Sequence, residues 1–370
     1  MANLKYNLSS LQEKAKERTV KTQSIEYDLE TLVKKIDKGI IKLDPDYQRR
    51  HRWDDKTSSR LIESLILNIP IPTIYISQDV DVDSETEEYR YSVIDGQQRL
   101  TAMYNFLKDK YALLGLDTLD ELNGCLHKDL PPFLTRRLEE RTVKCLRIDS
   151  TIDAQVKIDI FERLNSGSVK LEPQELRNAV YSGKFNILCK NLSANNDFRT
   201  LLQINPDQPD ANIRVRKMED VELVLRFFTL IDENYQNYKK TKEKGFTDFL
   251  SDTMNHRNQS SDADIDKFKE KFETTMQIIL RDFGNTAFAK YKYESEDYKL
   301  QSRFNVAVFD ALATSCHDLI FQEDIKEFSN KRDAYQELFS DAEFYESISG
   351  SYLDTNKLKF RIEQTKAVLR

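Results

Sequence analysis

Residues 91–101 read Tyr-Ser-Val-Ile-Asp-Gly-Gln-Gln-Arg-Leu-Thr. A β-branched and aromatic strand runs through Asp95-Gly96 straight into a helix, on which Leu100, Met103, Tyr104 and Leu107 recur at i, i+3, i+4 and i+7. Such a junction delivers a helix N-terminus at the end of a strand. Asp95 stands where an N-cap belongs, its carboxylate placed to accept from the first-turn N–H groups. Gly96 removes a side chain that would keep a ligand from that backbone. Gln97, Gln98 and Arg99 add two amides and a guanidinium to a turn that already favours anions. The pattern describes a phosphate or nucleotide seat. It also describes a well-capped helix with solvated glutamines, and the pattern alone leaves both open.

The rest of the 370-residue chain suits two domains, or one large one with an appended bundle. With 20 Phe, 17 Tyr and 39% hydrophobic residues there is material for a core, while 32% charged residues imply a wet surface. Only nine glycines and eight prolines argue for a helix-rich chain. A formal charge of -7 does not suit a protein that coats nucleic acid through its bulk field, although Arg49, Arg50, His51 and Arg52 form a local basic cluster beside Trp53. Cys125, Cys145, Cys189 and Cys316 are scattered without a C-x-x-C or paired histidines, which fits free thiols in a reducing cytosol. No signal-peptide core and no membrane-length apolar run is present, so a cytoplasmic protein away from membranes is expected.

Periodicity predicts a polar arm over residues 1–20, then a helix from Ile25 to Ile41 ended by Gly39, and a short strand at Ile40–Leu43. A helix from Asp55 to Asn68 follows, capped by Asp54 or Asp55, with Leu61, Ile62, Leu65 and Ile69 inward. Strands are expected at Thr73–Ser77 and Tyr89–Ile94 around an acidic tip (Asp79, Asp81, Asp83, Glu85) that lacks the glycine and terminal glutamate of a calcium loop. Next come a hairpin near Tyr111–Leu122, a helix opened by Pro131-Pro132 and a strand at Thr142–Ile148. Helices then dominate: Ala154–Leu164, Pro173–Tyr181 with Gly183 as C-cap, Met218–Tyr238, Ile265–Phe283, Phe304–Leu319 and a stretch from Lys357.

Two further constellations carry chemistry. In Tyr47-Gln48-Arg49-Arg50 with Arg52 and Trp53, cations beside an aromatic ring can clamp phosphate and stack a base. A surface arginine run with Trp53 as core anchor is the plainer account. In Phe161-Glu-Arg-Leu-Asn-Ser-Gly-Ser-Val-Lys-Leu171, followed by Glu175-Leu-Arg-Asn178, a helix ends at Asn165 and a small hydroxyl-rich loop offers groups to phosphate or a hydrated ion. An ordinary helix corner reads the same way. Walker, G-x-S-x-G and H-E-x-x-H signatures are all missing.

The three constellations in this order resemble the N-terminal domain of GmrSD-type restriction endonucleases, a branch of the ParB/sulfiredoxin-like fold. Its carriers here are Pro45, Tyr47, Gln48, Arg49 and Trp53; Asp95 to Thr101; and Phe161–Leu171 with Glu175–Asn178. Arg216-Lys-Met-Glu-Asp-Val-Glu-Leu-Val-Leu-Arg226 and Arg303-Phe-Asn305 extend the likeness into the C-terminal half. The resemblance implies an α+β chain: the arm 1–20, a ParB-like mixed α/β nucleotide-binding domain over 21–184 and a mostly helical C-terminal domain over 185–370. It implies a nucleoside triphosphate hydrolysed with Mg2+ or Mn2+ in a bacterial anti-phage or restriction system. Asp95, Gln97, Gln98 and Arg99 would be catalytic, with Asp95 also holding the metal. Tyr47, Gln48, Arg49, Gly96, Thr101 and Asn165 would bind the nucleotide. Longer members carry an HNH nuclease domain that this histidine-poor C-terminal half does not show, so DNA would be cut, if at all, by a separate nuclease subunit. A DNA-binding or DNA-nicking protein using the same cleft, or a non-catalytic interaction module, are the alternatives. The sulfiredoxin branch is set aside, because its chemistry needs a cysteine by the glycine turn and no cysteine is near Asp95 in sequence.

Overall fold

Strand β1 (Thr22–Asp28) alternates exposed polar residues with half-buried Ile25 and Tyr27, the period-2 signature of a strand with one wet face. The helix expected from Ile25 therefore begins later. Asp28 ends the strand and caps α1 (Leu29–Asp37), accepting from Thr31 N at 2.7 Å. The computed structural model describes residues 21–43, 53–82, 89–149, 160, 172–181, 183–241, 244–350 and 353–370. The expected arm 1–20, most of the Ala154–Leu164 helix and the tip of the acidic hairpin lie outside them.

These residues form two compact units, Met1–Leu171 and Glu172–Arg370. The first continues with β2 (Ile41–Lys42), α2 (Asp55–Ile66), β3 (Ile74–Val82), β4 (Tyr89–Asp95), α3 (Gln97–Leu107), α4 (Pro132–Glu139) and β5 (Thr142–Ile148). Its sheet runs β1-β5-β3-β4-β2. β1 pairs antiparallel with β5, β5 parallel with β3, β3 antiparallel with β4, and β4 parallel with β2. Ile74, Ile76, Val143 and Cys145 from the sheet pack with Leu32, Ile62, Leu65, Leu100, Met103 and Phe106 from the helices. Asp54 caps α2 as expected, through Thr57 N. Ile69 does not face inward: Asn68 adopts a left-handed φ of 63°, the helix stops, and Ile69 is left largely exposed.

The hairpin expected near Tyr111–Leu122 forms no ladder. Leu113 exchanges backbone bonds with Gly124 and Cys125, but three further N–H groups go to side chains of α2: Leu114 N donates to Ser59 Oγ (2.9 Å), and Thr118 N and Leu119 N both donate to Glu63 Oε1 (2.8 Å each). Glu63 is nearly buried, so those two bonds satisfy a carboxylate that would otherwise be costly to desolvate.

The second unit is helical apart from one ribbon. It comprises α5 (Pro173–Val180), α6 (Lys184–Leu192), α7 (Asn196–Leu201), α8 (Ile213–Arg216), α9 (Glu219–Leu230), α10 (Phe246–Arg257), α11 (Asp262–Phe283), the ribbon β6 (Lys290–Glu294) and β7 (Asp297–Ser302), α12 (Val306–Gln322), α13 (Arg332–Glu337), α14 (Ala342–Ser347) and α15 (Thr355–Leu369). The chain is thus α+β, a five-stranded sheet unit followed by a helical unit. Gly183 is not the C-cap of α5. Its φ of 167° is extended backbone, and it opens α6, whose N–H groups Phe185 N and Asn186 N donate to Asn258 Oδ1 (3.1 Å each). The long helix expected over Met218–Tyr238 ends at Leu230, since Asp232 and Glu233 turn left-handed and Asp232 N donates to Asp318. The β6–β7 ribbon was not expected from the sequence.

Candidate functional site

The Asp95–Thr101 junction sits where β4 hands over to α3. Asp95 is the last residue of the strand, and the N-cap is Gly96 with φ 101°; no side chain caps the helix. Asp95 is therefore not the cap that its position suggests. Its Oδ2 accepts from Arg99 Nη2 at 2.8 Å, one turn along. Arg99 Nη1 also donates to the carbonyls of Pro72 and Thr73. With a carboxylate and two carbonyls on it and only 8% exposure, this guanidinium is a brace that ties the turn to the chain entering β3.

Gly96 owes its identity to the fold rather than to ligand access. A Cβ there would stand 2.9 Å from Ile74 Cγ1 and 3.3 Å from Arg99 Nη2, and the left-handed φ excludes most other residues at small cost only for glycine. Gln97 is nearly buried. Gln98 reaches the other way, its Oε1 accepting from Trp53 N at 3.2 Å, which joins the segment before α2 to the first turn of α3. The Thr101 hydroxyl donates to Gln97 O (2.8 Å). The far end of α3 is tied to α1 by Tyr104 and Lys108, both donating to Asp37. Those two bonds hold the Asp37 carboxyl below the usual carboxylate range, the lysine first.

Beside this turn, between α2 and α3, lies a cleft of about 390 Å³. Trp53, Asp55 and Ser58 line one side, Gln98, Thr101 and Asn105 the other, and Lys110 and Tyr111 its end. Asn105, Lys110 and Tyr111 were not among the expected site residues. The i, i+3, i+7 spacing of Gln98, Thr101 and Asn105 was a signal that could have found the first. Burial pushes the Tyr111 hydroxyl's pKa well up, so it stays a neutral donor, to Ala102 O at 3.2 Å. A wider depression of about 730 Å³ between α1 and α4 carries Asp28, Glu30, Glu139 and Glu140 against Arg136, a rim that repels polyphosphate.

Tyr47, Gln48, Arg49 and Asn165 lie outside the described residues. Asp95, Gly96, Gln97, Gln98, Arg99 and Thr101 fall on one strand–helix junction. No group of three or more His, Cys, Asp or Glu side chains converges on a point among the described residues. Asp95, part-exposed and with Oδ2 on Arg99, fits a hard cation only as a single carboxylate contact. All four cysteines are free thiols. Cys145 lies opposite Ile74 on the neighbouring strand, within reach of the Arg99 charge, yet burial pushes its thiol up to about 11, which makes it a poor nucleophile.

Residues 29–182 match the family model described as GmrSD restriction endonuclease, N-terminal domain. This segment is similar to the N-terminal domain of GmrSD restriction endonucleases. No curated protein and no solved structure gave a match. The match spans α1 to the end of α5 and so contains the Asp95 junction and the cleft. No helix among the described residues is long and apolar enough to cross a membrane.

Proposed function

We propose that this protein is the nucleotide-binding, NTP-hydrolysing component of a bacterial restriction or anti-phage system. The observation that carries the reading is the opening of α3: an uncapped helix N-terminus headed by a left-handed glycine, flanked by an acid and by a polar cleft, inside the segment that matches the GmrSD N-terminal domain. First-turn N–H groups lack intrahelical partners and point toward whatever lies ahead of the helix, and the helix dipole favours an anion there. The phosphates would lie against Gly96 and Gln97. Magnesium or manganese would neutralise phosphate charge at this seat.

Asp95 would contact that ion through the oxygen that Arg99 leaves, and Arg99 would fix the carboxylate's direction rather than touch phosphate. Gln97 would orient the attacking water, and Gln98 and Thr101 would line the nucleotide's path. Tyr47, Gln48 and Arg49, with Asn165, would close the seat from the segments that flank it in sequence. DNA is the expected target of the system, cut by a separate nuclease subunit.

The test is release of inorganic phosphate from nucleoside triphosphates by the purified protein with Mg2+ or Mn2+, with plasmid DNA present as a second reporter. We expect metal-dependent phosphate release, loss of at least about a hundredfold in a folded Asp95→Asn variant, and intact plasmid. Phosphate release that survives excess EDTA, or that is unchanged in Asp95→Asn, overturns the assignment of Asp95. Absence of any turnover overturns the reading, and nicking lost in Asp95→Asn replaces it with the DNA-nicking alternative.

A further inference from the structure

Among the described residues, the β6–β7 ribbon of the helical unit has no third strand on either side. Its root is anchored: the Tyr291 ring packs edge-on against Phe339, and Lys290 donates to Ser349 Oγ (2.6 Å). Beyond the root the ribbon is uncovered. Tyr293 and Tyr298 pair across the strands with ring centroids 4.9 Å apart, and Leu300 lies on the same face. Tyr293 is 44% and Leu300 50% exposed. Two strands alone are marginal in water, and an apolar face beside an open edge is a template for another strand.

The edge of β7 has its bonding groups turned outward. Ser295 and Glu296, both left-handed, form a two-residue turn. The pair that closes such a turn, Glu294 with Asp297, and the second pair on, Lys292 with Lys299, exchange the internal hydrogen bonds. Tyr298 and Leu300 therefore present their N–H and C=O groups to the outside. Neither has a backbone partner beyond the ribbon among the described residues. Tyr298 N donates to the neighbouring Asp297 carboxylate instead (2.8 Å).

We propose that two copies of this chain pair through their β7 edges, antiparallel about a two-fold axis at Leu300, to make a four-stranded sheet. Charge selects the strand and the register. With six residues, β7 has two central registers, which set either Lys299 or Leu300 against its own counterpart. Lysine on lysine repels. Centring on Leu300 puts leucine on leucine, Lys299 opposite Gln301, Tyr298 opposite Ser302 and Asp297 opposite Arg303, the last contact made twice. Asp297 and Arg303 are both exposed and in no ion pair among the described residues. The outward groups of Tyr298 and Leu300 fall on hydrogen-bonded pairs in this register, and the two apolar faces join side by side. β6 offers no equal match, since centring its five residues faces Lys292 with itself. The pairing is independent of the nucleotide reading.

The experiment is sedimentation of the full protein across a concentration series, with charge reversals at the two ends of the paired segment. A monomer–dimer equilibrium is expected for the parent. Asp297→Arg and Arg303→Asp should each raise the dissociation constant by about tenfold, because each sets like charges opposite one another twice. The double variant should regain the parent's association, since the pairs are restored with their signs exchanged. A second measurement uses Leu300→Cys in a Cys125→Ser background. Oxidation should link two copies at position 300, where facing residues come within disulfide reach, and Cys125→Ser alone should stay unlinked. A protein that remains monomeric at its highest soluble concentration overturns the proposal. So does a dimer that the single reversals leave unchanged, or one that the double variant fails to restore.

Discussion

At the scale of single residues, the junction between β4 and α3 shows how little of a motif is free to meet a ligand. Arg99 spends its donors on Asp95 and two carbonyls, and Gly96 is pressed against Ile74. Gly96→Ala is accordingly expected to cost about 1–3 kcal/mol, from the left-handed backbone and from a Cβ that must displace Ile74. Urea midpoints would measure it. The cost should be smaller in an Ile74→Ala background, where neither γ carbon remains, because the γ-carbon contact at 2.9 Å is one of the two causes. A Gly96→Ala protein within about 0.5 kcal/mol of the parent would mean that the turn relaxes freely and that the glycine serves access after all.

At the scale of elements, the wall of the cleft depends on a carboxylate far from any chemistry. Glu63 on α2 takes the N–H groups of Thr118 and Leu119, and Ser59 takes that of Leu114, so the segment after Tyr111 is docked by side chains where a strand would use its neighbour. Glu63→Ala removes an acceptor for two amides at once. Hydrogen exchange at Thr118 and Leu119 should then accelerate by at least tenfold, with Tyr111 loosened beside them, while amides in the β3–β4 ladder keep their protection. Unchanged exchange at both amides would show that the loop is held by its apolar residues, Leu113, Leu116 and Leu122, instead.

At the scale of the whole molecule, the helical unit joins buried ionisable groups from helices far apart in sequence. Asp310 on α12 meets Arg226 of α9 and Arg361 of α15, three helices distant in sequence joined at one carboxylate. Nearby, His317 is fully enclosed with Nδ1 3.0 Å from Asp318 Oδ1, while Asp232, Lys271 and Lys366 complete the charged surroundings of the pair. Burial lowers the His317 pKa against the pull of Asp318. The native ring is therefore neutral where the unfolded ring, near 6.5, takes a proton. The unfolded state binds more protons below that pH, so stability is full above about 6.5 and falls as pH drops toward 5. Chemical denaturation of the parent and of His317→Gln across pH 5–8 should show the parent's decline flattened in the variant. Parallel curves would mean that His317 does not carry the pH response.

Local rules made much of this protein legible without coordinates. Period-2 and period-3.6 patterns placed β3, β4, β5, α2, α3 and α11, because each buries one face against one neighbour and the pattern records that face. Asp54 as a cap and the order strand–Asp–Gly–helix are likewise readable, being decided within a few residues. The failures share a cause. Ile25–Asp28 is a strand because β5 lies beside it, Tyr111–Leu122 is not a hairpin because Ser59 and Glu63 take its amides, and Asp95 is not a cap because Arg99 claims its carboxylate. Asn105, Lys110 and Tyr111 join the cleft only when α2 folds against α3. Backbone groups and side chains have several partners of nearly equal worth, and distance in the folded chain, which a sequence does not contain, decides which partner each one meets.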